Sequence, residues 1–380
     1  MGLTDSLCIS KVLQKESPVP VIFLGLQVMV PSNYIGALGV LPTLPRCCGM
    51  NKAAWKLVIK MLSSRGARSL IDALPALGRA QDDSDLLGSY QEFFDHCSCS
   101  PRFPCLFAVS TALHGPFPPD FSHLCRALGP ICYEPEMEVG VDFGGSELGL
   151  LEEFLAKGEA PVHMGYGSMV YRSGKFMSLL SLRALKSTGC RAVILRGWAE
   201  LGLQEIDSEP DVEELRAFCD SRVLFVETAP HARLFPRCSV IVHHGGAGTT
   251  YAAARSGVPS VIVPILLDQF VHARLMNEKG IGIGLRGMSS TSPDELSQAI
   301  LTCLQSTHIR EEAAFLGREL ANENGATKFV GEVRRFFAEF IDSGRYAKEK
   351  LARRRRSRGW RWRDWLSCVA SFCQANGGEH

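Results

Sequence analysis

From residue 161 onward, short apolar runs alternate with helical stretches, and this alternation constrains the fold more than any other feature of the chain. The runs are 161–165, 191–195, 223–226, 239–242, 260–263 and 281–285. Helical stretches at 176–187, 250–256 and 271–279 lie between them. The last two run into Gly257 and Gly280, the residue type most often found just past a helix end. Strands separated by helices of this length form βαβ units, which pack as a parallel, doubly wound sheet. Two further helices, 311–323 and 328–340, are expected to close the domain.

The first 150 residues read differently. One strand-like run, 19–28, is followed by a helical stretch near 53–62 and a polar, Cys- and Pro-rich region at 82–119, with a short strand at 105–109 inside it. These are too few strands for a complete parallel sheet. At 380 residues the chain has room for two domains. The expected division is a partial N-terminal domain at 1–150, an α/β domain of Rossmann-like type at 151–342 and a tail at 343–380.

Bulk composition excludes some classes. With 46% hydrophobic and 21% charged residues the chain is ordinary for a globular protein, and its formal net charge of +1 offers no overall field for nucleic acid. None of the 14 cysteines stands in a CxxC pair, which argues against a structural zinc site. The start, MGLTDSLCIS, lacks the basic and apolar regions of a secretory signal. Reduced, mostly buried cysteines and a cytoplasmic location are the expectation. The longest apolar run, 19–30, is too short to span a membrane and is bracketed by prolines, so it reads as a buried strand. Gly2 and Ser6 fit the loose myristoylation pattern, which arises often by chance.

The chemistry concentrates between residues 238 and 264, CSVIVHHGGAGTTYAAARSGVPSVIVP. A strand runs into His243, His244, Gly245, Gly246, Ala247 and Gly248, then Thr249, Thr250 and an Ala-rich helix. The glycines leave room for a ligand to approach the backbone, and Thr249 or Thr250 can cap the helix. Its first turn presents N–H groups and the positive end of the helix dipole, which suits a phosphate. His244 can donate a hydrogen bond to a phosphate oxygen. The same segment also fits a structural Gly-rich turn with a buried histidine. It is neither a Walker loop, lacking the Lys, nor a GxGxxG loop.

Two more segments reach the same sheet edge, since loops after successive strands of a doubly wound sheet converge there. Asp268 and Gln269 follow the 260–263 strand, and their directional acceptors suit sugar hydroxyls. An Asp ahead of an apolar helix is equally a capping residue. The segment 161–169, PVHMGYGSM, ends in Gly165, Gly167 and Ser168, where the serine can reach a phosphate or simply close a strand-to-helix turn.

The order PVHMGYGSM, Arg196-Gly197-Trp198, Ala229-Pro230-His231, VHHGGAGTT and Asp268-Gln269 resembles the UDP-glycosyltransferases of plant and microbial type, and most of all their sterol glucosyltransferase branch. The resemblance covers about residues 18–340 and is most specific over 161–169 and 227–283. It implies a two-domain GT-B fold whose C-terminal domain binds the donor. By position it puts Ser168, His244 and the loop Gly245, Gly246, Gly248, Thr249 and Thr250 on the diphosphate. It puts Asp268 and Gln269 on the hexose, and Trp198, Thr228, Ala229 and His231 on the uridine side. Plant members carry a stacking Trp near Thr228, which a threonine cannot replace.

The implied reaction is inverting transfer of a hexose, glucose first, from a UDP-sugar to a hydroxyl of a lipid or sterol-like acceptor. The UDP-sugar is a substrate, and no cofactor or metal is implied, since no acidic cluster such as DxD is placed to hold one. Compared with the family, the N-terminal domain begins late, as if its first half were missing, and the general base that belongs there has no assigned residue. His114, Asp120 and His123 lie in the remaining part, where surface or packing roles account for them. A truncated or partner-completed module that binds nucleotide sugar without turnover is the alternative. A sugar-nucleotide epimerase of similar architecture is a third, weaker reading.

The tail is basic. Residues 345–363 hold ten Lys or Arg against Glu349, and Trp360, Trp362 and Trp365 lie among or beside them. Such a segment suits an anionic membrane surface, with Trp at the interface. A nuclear import signal, RNA contact or a solvated disordered tail fits the same composition; no specific nucleic acid is expected.

Overall fold

The computed structural model describes residues 23–25, 104–132, 145–204, 206–345 and 347–348. The chain divides into two units, Met1–Ala326 and Thr327–His380. The helix expected at 53–62, the cysteines at 47, 48, 97 and 99, and the basic run from residue 349 lie outside the described residues.

Among the described residues, the first unit holds two parallel sheets. In the smaller, β1 (Phe23–Gly25), β2 (Cys105–Phe107) and β3 (Cys125–Ala127) lie side by side in that order. β1 and β2 fall inside the expected runs. β3 carries Arg126 between Cys125 and Ala127 and was not anticipated.

The larger sheet has six parallel strands, β4 (Val162–Gly165), β5 (Ala192–Leu195), β6 (Val223–Val226), β7 (Val240–His243), β8 (Ser260–Ile262) and β9 (Gly282–Gly284). Their order is β6-β5-β4-β7-β8-β9, the doubly wound Rossmann-like order. The strand order reverses between β4 and β7, which pair from Val162 with Val240 to Gly165 with His243. All six strands coincide with the runs read from the sequence to within two residues at either end.

Local signals account for the helices. Thr111–His114 (α1) starts where Ser110 Oγ accepts from Ala112 N. Leu148–Ala156 (α2) follows a short 3-10 turn. Gly174–Thr188 (α3) is capped by Ser173, whose hydroxyl accepts from Phe176 N, and ends at left-handed Gly189. Val212–Arg222 (α4) and the short His231–Leu234 (α5) come next. Ala247–Ser256 (α6) and Gln269–Lys279 (α7) end at Gly257 and Gly280, both left-handed, as their sequence implies. Pro293–Gln305 (α8) begins with a Ser292 cap and Pro at its first position, and Thr307–Ala321 (α9) with a Ser306 cap. Gly325–Phe336 (α10) runs into the second unit, where a π-helical turn, Phe337–Asp342, continues it. Phe336 and Phe340 stack there at 5.2 Å.

The two faces of the large sheet carry separate cores. Val162, Met164, Val240 and Val242 pack with Leu180 and Leu185 of α3 and Ile300 of α8. Val193 and Ile241 pack on the other face with Leu234, Phe235 and Ala253. A third cluster joins Phe107, Val109 and Leu113 of the small sheet and its following turn to Tyr251, Met276 and Leu316. None of the seven described cysteines, Cys105, Cys125, Cys132, Cys190, Cys219, Cys238 and Cys303, is in a disulfide, and five are buried. No helix among the described residues is long and apolar enough to cross a membrane.

α6 and α9 meet at glycine. A Cβ on Gly317 would lie 2.6 Å from Gly257 Cα and 2.8 Å from Gly257 N, both backbone atoms that cannot turn away. Gly317→Ala therefore gains about 1 kcal/mol of helix propensity but loses more by overpacking, for a net destabilisation of about 1–2 kcal/mol. Urea unfolding midpoints of the two proteins check this.

Four buried histidines, His163, His243, His244 and His272, are an unusual load for such a core. Burial pushes every one of them below the usual imidazole value, His244 to about 4. They stay neutral in the fold, whereas the unfolded chain takes up their protons near pH 6.5. Stability is fully present above that pH and falls as pH drops from about 6.5 toward 4, by about 1.4 kcal/mol per pH unit for each histidine. Unfolding free energies measured at pH 7.5, 6 and 5 should decline steadily; a flat profile contradicts the assignment.

Candidate functional site

The site forms where the strand order reverses, at the carboxyl ends of β4 and β7. After β4, Tyr166 drops into the core, and its hydroxyl lies 3.3 Å from Ser181 Oγ. Gly167 then takes a left-handed turn (φ 57°), leaving Ser168 exposed at the edge. After β7, His243 Nδ1 accepts from Gly245 N at 3.1 Å, and Gly245 adopts φ 90°. The Gly245 carbonyl accepts from His272 Nδ1 of α7 at 2.6 Å, which ties the loop to its neighbouring helix.

The helix starts earlier than the sequence suggested. Gly246 is the cap residue and α6 begins at Ala247, so Thr249 and Thr250 are not caps but members of its first turn. The sharp turn at Gly245 sets this start, a backbone effect that the capping preference of threonine does not anticipate. The N–H groups of Ala247, Gly248 and Thr249 open the helix and have no acceptor within it. Thr249 is half-buried, whereas Thr250 is buried, with a hydroxyl that has no hydrogen-bond partner.

The loop glycines serve different ends. A Cβ on Gly245 would lie 2.7 Å from Ile262 Cγ2 and 3.3 Å from Gln269 Cα, so this glycine is needed for packing. One on Gly246 would collide with His244 Nε2, so this glycine makes room for the imidazole. Gly248 alone is open, with nothing within 4 Å, and exposed. The His244 ring also lies against Gly167, whose Cβ would stand 3.2 Å from Cε1. The imidazole is thus held between the β4 turn and the start of α6. It is neutral, its pKa lowered to about 4 by burial and by His272, and its Nδ1 has no partner.

Asp268 occupies the cap position of α7 without a side-chain capping bond. Gln269 is buried, and its Oε1 accepts from Ile265 N at 2.8 Å and Leu266 N at 3.0 Å. Its Nε2 stands 3.3 Å from Met169 Sδ, beside Ser168. This amide therefore braces the loop after β8 against the turn after β4. The preceding Leu267 carries φ 48°, an uncommon conformation for a leucine.

A cavity of about 630 Å³ opens beside the site, between the sheet edge, α5 and α6. Thr228, Ala229, His231, Gly248 and Thr249 line it together. Ser168, Trp198, His244, Gly245, Gly246, Thr250, Asp268 and Gln269 are not part of its lining. Trp198 donates its backbone N–H to the Gly167 carbonyl, and its side chain stands 76% exposed. The cavity adds residues that the sequence reading did not single out, among them His163, Leu195, Ala252 and Arg255. Ala252 and Arg255 follow Gly248 at helical spacing, which was the available signal.

The N-terminal candidates are not in this lining. His114 Nδ1 shares a 3.0 Å hydrogen bond with the Tyr251 hydroxyl, and burial holds its pKa down at about 3. His123 is exposed and Asp120 half-buried. Among the described residues, no group of three or more His, Cys, Asp or Glu is placed to hold a metal ion.

Residues 205–336 match the C-terminal domain of the erythromycin biosynthesis protein CIII-like family. The chain is 36% identical over 189 residues to a sterol 3-beta-glucosyltransferase of Arabidopsis thaliana, covering 49% of this chain and 29% of that protein. It is 32% identical over 244 residues to a sterol 3-beta-glucosyltransferase of Vanderwaltozyma polyspora, covering 60% of this chain and 18% of that protein. The chain thus spans less than a third of the length of these curated relatives. In fold it is similar to the crystal structure of the glycotransferase of kitacinnamycin, with a TM-score of 0.55 at 17% identity, covering 87% of this chain and 73% of that one. Sequence and fold agree with the resemblance read from the motifs: over part of its length the chain is similar in sequence to sterol 3-beta-glucosyltransferases, and in fold it is similar to a solved glycosyltransferase.

Proposed function

We propose that this chain binds a UDP-sugar at the β4–β7 edge and serves hexosyl transfer, glucose first, to a hydroxyl of a sterol or similar lipid. The observation that carries the reading is His244, a neutral imidazole held over the first turn of α6 between Gly167 and Gly246. A neutral imidazole and a turn of backbone N–H groups together suit a diphosphate. In the transfer, the acceptor oxygen attacks the anomeric carbon, the bond from that carbon to the diphosphate oxygen breaks, and configuration inverts. A base takes the hydroxyl proton, and the α6 start and His244 stabilise the leaving UDP.

In this reading, residues 151–342 form the donor domain and Asp268 and Gln269 face the hexose. Gln269 has its carbonyl engaged by the loop and one amide N–H turned to Met169, so the other N–H is what it offers to the sugar. Residues 1–150 belong to the acceptor side, the protein works in the cytoplasm, and the basic tail from residue 343 meets anionic membrane, where a sterol is found.

Titration of the 380-residue chain with UDP and UDP-glucose tests the donor site. UDP should bind, and His244→Ala should weaken it about tenfold, the usual worth of a hydrogen bond to a charged group. Unchanged affinity in that variant removes His244 from the site. Turnover of UDP-glucose with a sterol separates the enzyme from a module that only binds. Sedimentation with liposomes containing phosphatidylserine tests the tail: the full chain should pellet and a chain ending at Ser343 should not, and equal pelleting overturns the membrane contact.

A further inference from the structure

His163 is a polar residue in this core that the fold does not explain. It sits in the middle of β4, paired in register with Val193 of β5 and Ile241 of β7, both fully buried. Its own exposure is 1%, and its Nδ1 has no hydrogen-bond partner. An apolar residue of similar size would fit that row without cost, whereas an enclosed, unpaired ring nitrogen costs about 1–3 kcal/mol. Yet the ring also lines the 630 Å³ cavity. Its Cε1–Nε2 edge lies over Gly165, 3.4 and 3.5 Å from where a Cβ would stand, and Gly165 lines the same cavity. With Nδ1 enclosed and without an acceptor, the proton of the neutral ring belongs on Nε2, at the cavity edge.

The surroundings favour a flat ligand. His163 leans on Phe235 at 4.9 Å, and His231 stacks on the same ring at 4.4 Å. The two imidazoles stand 6.3 Å apart at 65°, and both line the cavity. Leu195, Ala229, Ala252 and Pro236 supply apolar walls. Gly248 and Thr249, at the proposed diphosphate end, line it as well.

We propose that His163 reads the nucleobase of the donor, donating an Nε2 hydrogen bond to a ring carbonyl, so that the site selects a carbonyl-bearing pyrimidine such as uracil over adenine. This rests on the nucleotide reading of the preceding subsection. A site built around a buried donor rejects a ligand lacking the matching acceptor more strongly than an apolar pocket can.

The test compares UDP, ADP and inorganic pyrophosphate on the whole chain by calorimetric titration, with thermal unfolding of each variant alongside. The native chain should prefer UDP to ADP by tenfold or more. His163→Val should lose about tenfold in UDP affinity while ADP and pyrophosphate binding hold, with a melting temperature equal to or above the native one. His163→Gln, which keeps an N–H donor, should recover part of the UDP preference. If His163→Val fails to fold, His163→Phe supplies the same comparison with the ring retained. UDP binding unchanged in the Val or Phe variant, or equal losses for UDP, ADP and pyrophosphate, overturns the assignment of His163 alone. A native chain that binds neither UDP nor pyrophosphate overturns the nucleotide reading and this inference with it.

Discussion

The pairing of β4 with β7 is the contact on which the rest of the cleft depends. These strands are far apart in sequence, yet Gly165 lies opposite His243 in the ladder. That register delivers the turn after β4 and the loop after β7 to one point. Because the sheet runs outward from these two strands in opposite directions, no crossover helix covers the gap between their ends. The His244 ring fills part of it, and it fits only because the residues on either side, Gly167 and Gly246, have no side chains. A shift of one residue in the ladder would send either Val162 and Met164 or Val240 and Val242 to the wrong face, so the core that fixes the register also fixes the site.

Further contacts make the arrangement rigid. Gly245 cannot carry a side chain because Ile262 and Gln269 press on it, and its carbonyl is held by His272. Gln269 links the loop after β8 to Met169 in the turn after β4. The candidate site thus stands on loops, but each loop is tied to a neighbour by a short bond or a close packing contact. Such preorganisation lets a helix start hold an anion without first being ordered.

Much of this was legible in the sequence, and the exceptions have physical reasons. The six strands of the large sheet were visible because a strand buried on both faces must be apolar along its length. β3 was not, because Arg126 interrupts a run of only three residues. α8 was passed over even though Ser292, Pro293, Asp294 and Glu295 carry a full helix-start signal. The start of α6 was placed too late, because threonine is a good cap and the turn at Gly245 is invisible until the backbone is known. The loop was read as glycine-rich for the sake of a ligand, yet of its three glycines only Gly248 is open. Convergence of Ser168, His244 and the loop was foreseeable from strand alternation, whereas the bracing role of Gln269 depends on contacts between loops that sequence spacing does not reveal.

His163 was passed over for a related reason. In sequence, a histidine between valine and methionine in a strand reads as one more core residue. Only the ladder shows that its neighbours on that face are valine and isoleucine, and only the cavity shows where its other edge lies. The same logic extends to the rest of the cluster. His163 and His244 leave Nδ1 unpaired, His243 leaves Nε2 unpaired, and Thr250 leaves its hydroxyl unpaired, all within or just after β4 and β7; His114 and Glu323, outside the large sheet, leave one atom each as well. A fold selected for stability alone would replace such groups with apolar ones of equal volume, since each unpaired polar atom lowers stability. The four that gather around β4 and β7, away from the apolar faces that hold α3 and α8, mark those strands and the loops that follow them as a part of the molecule shaped by something other than its own folding.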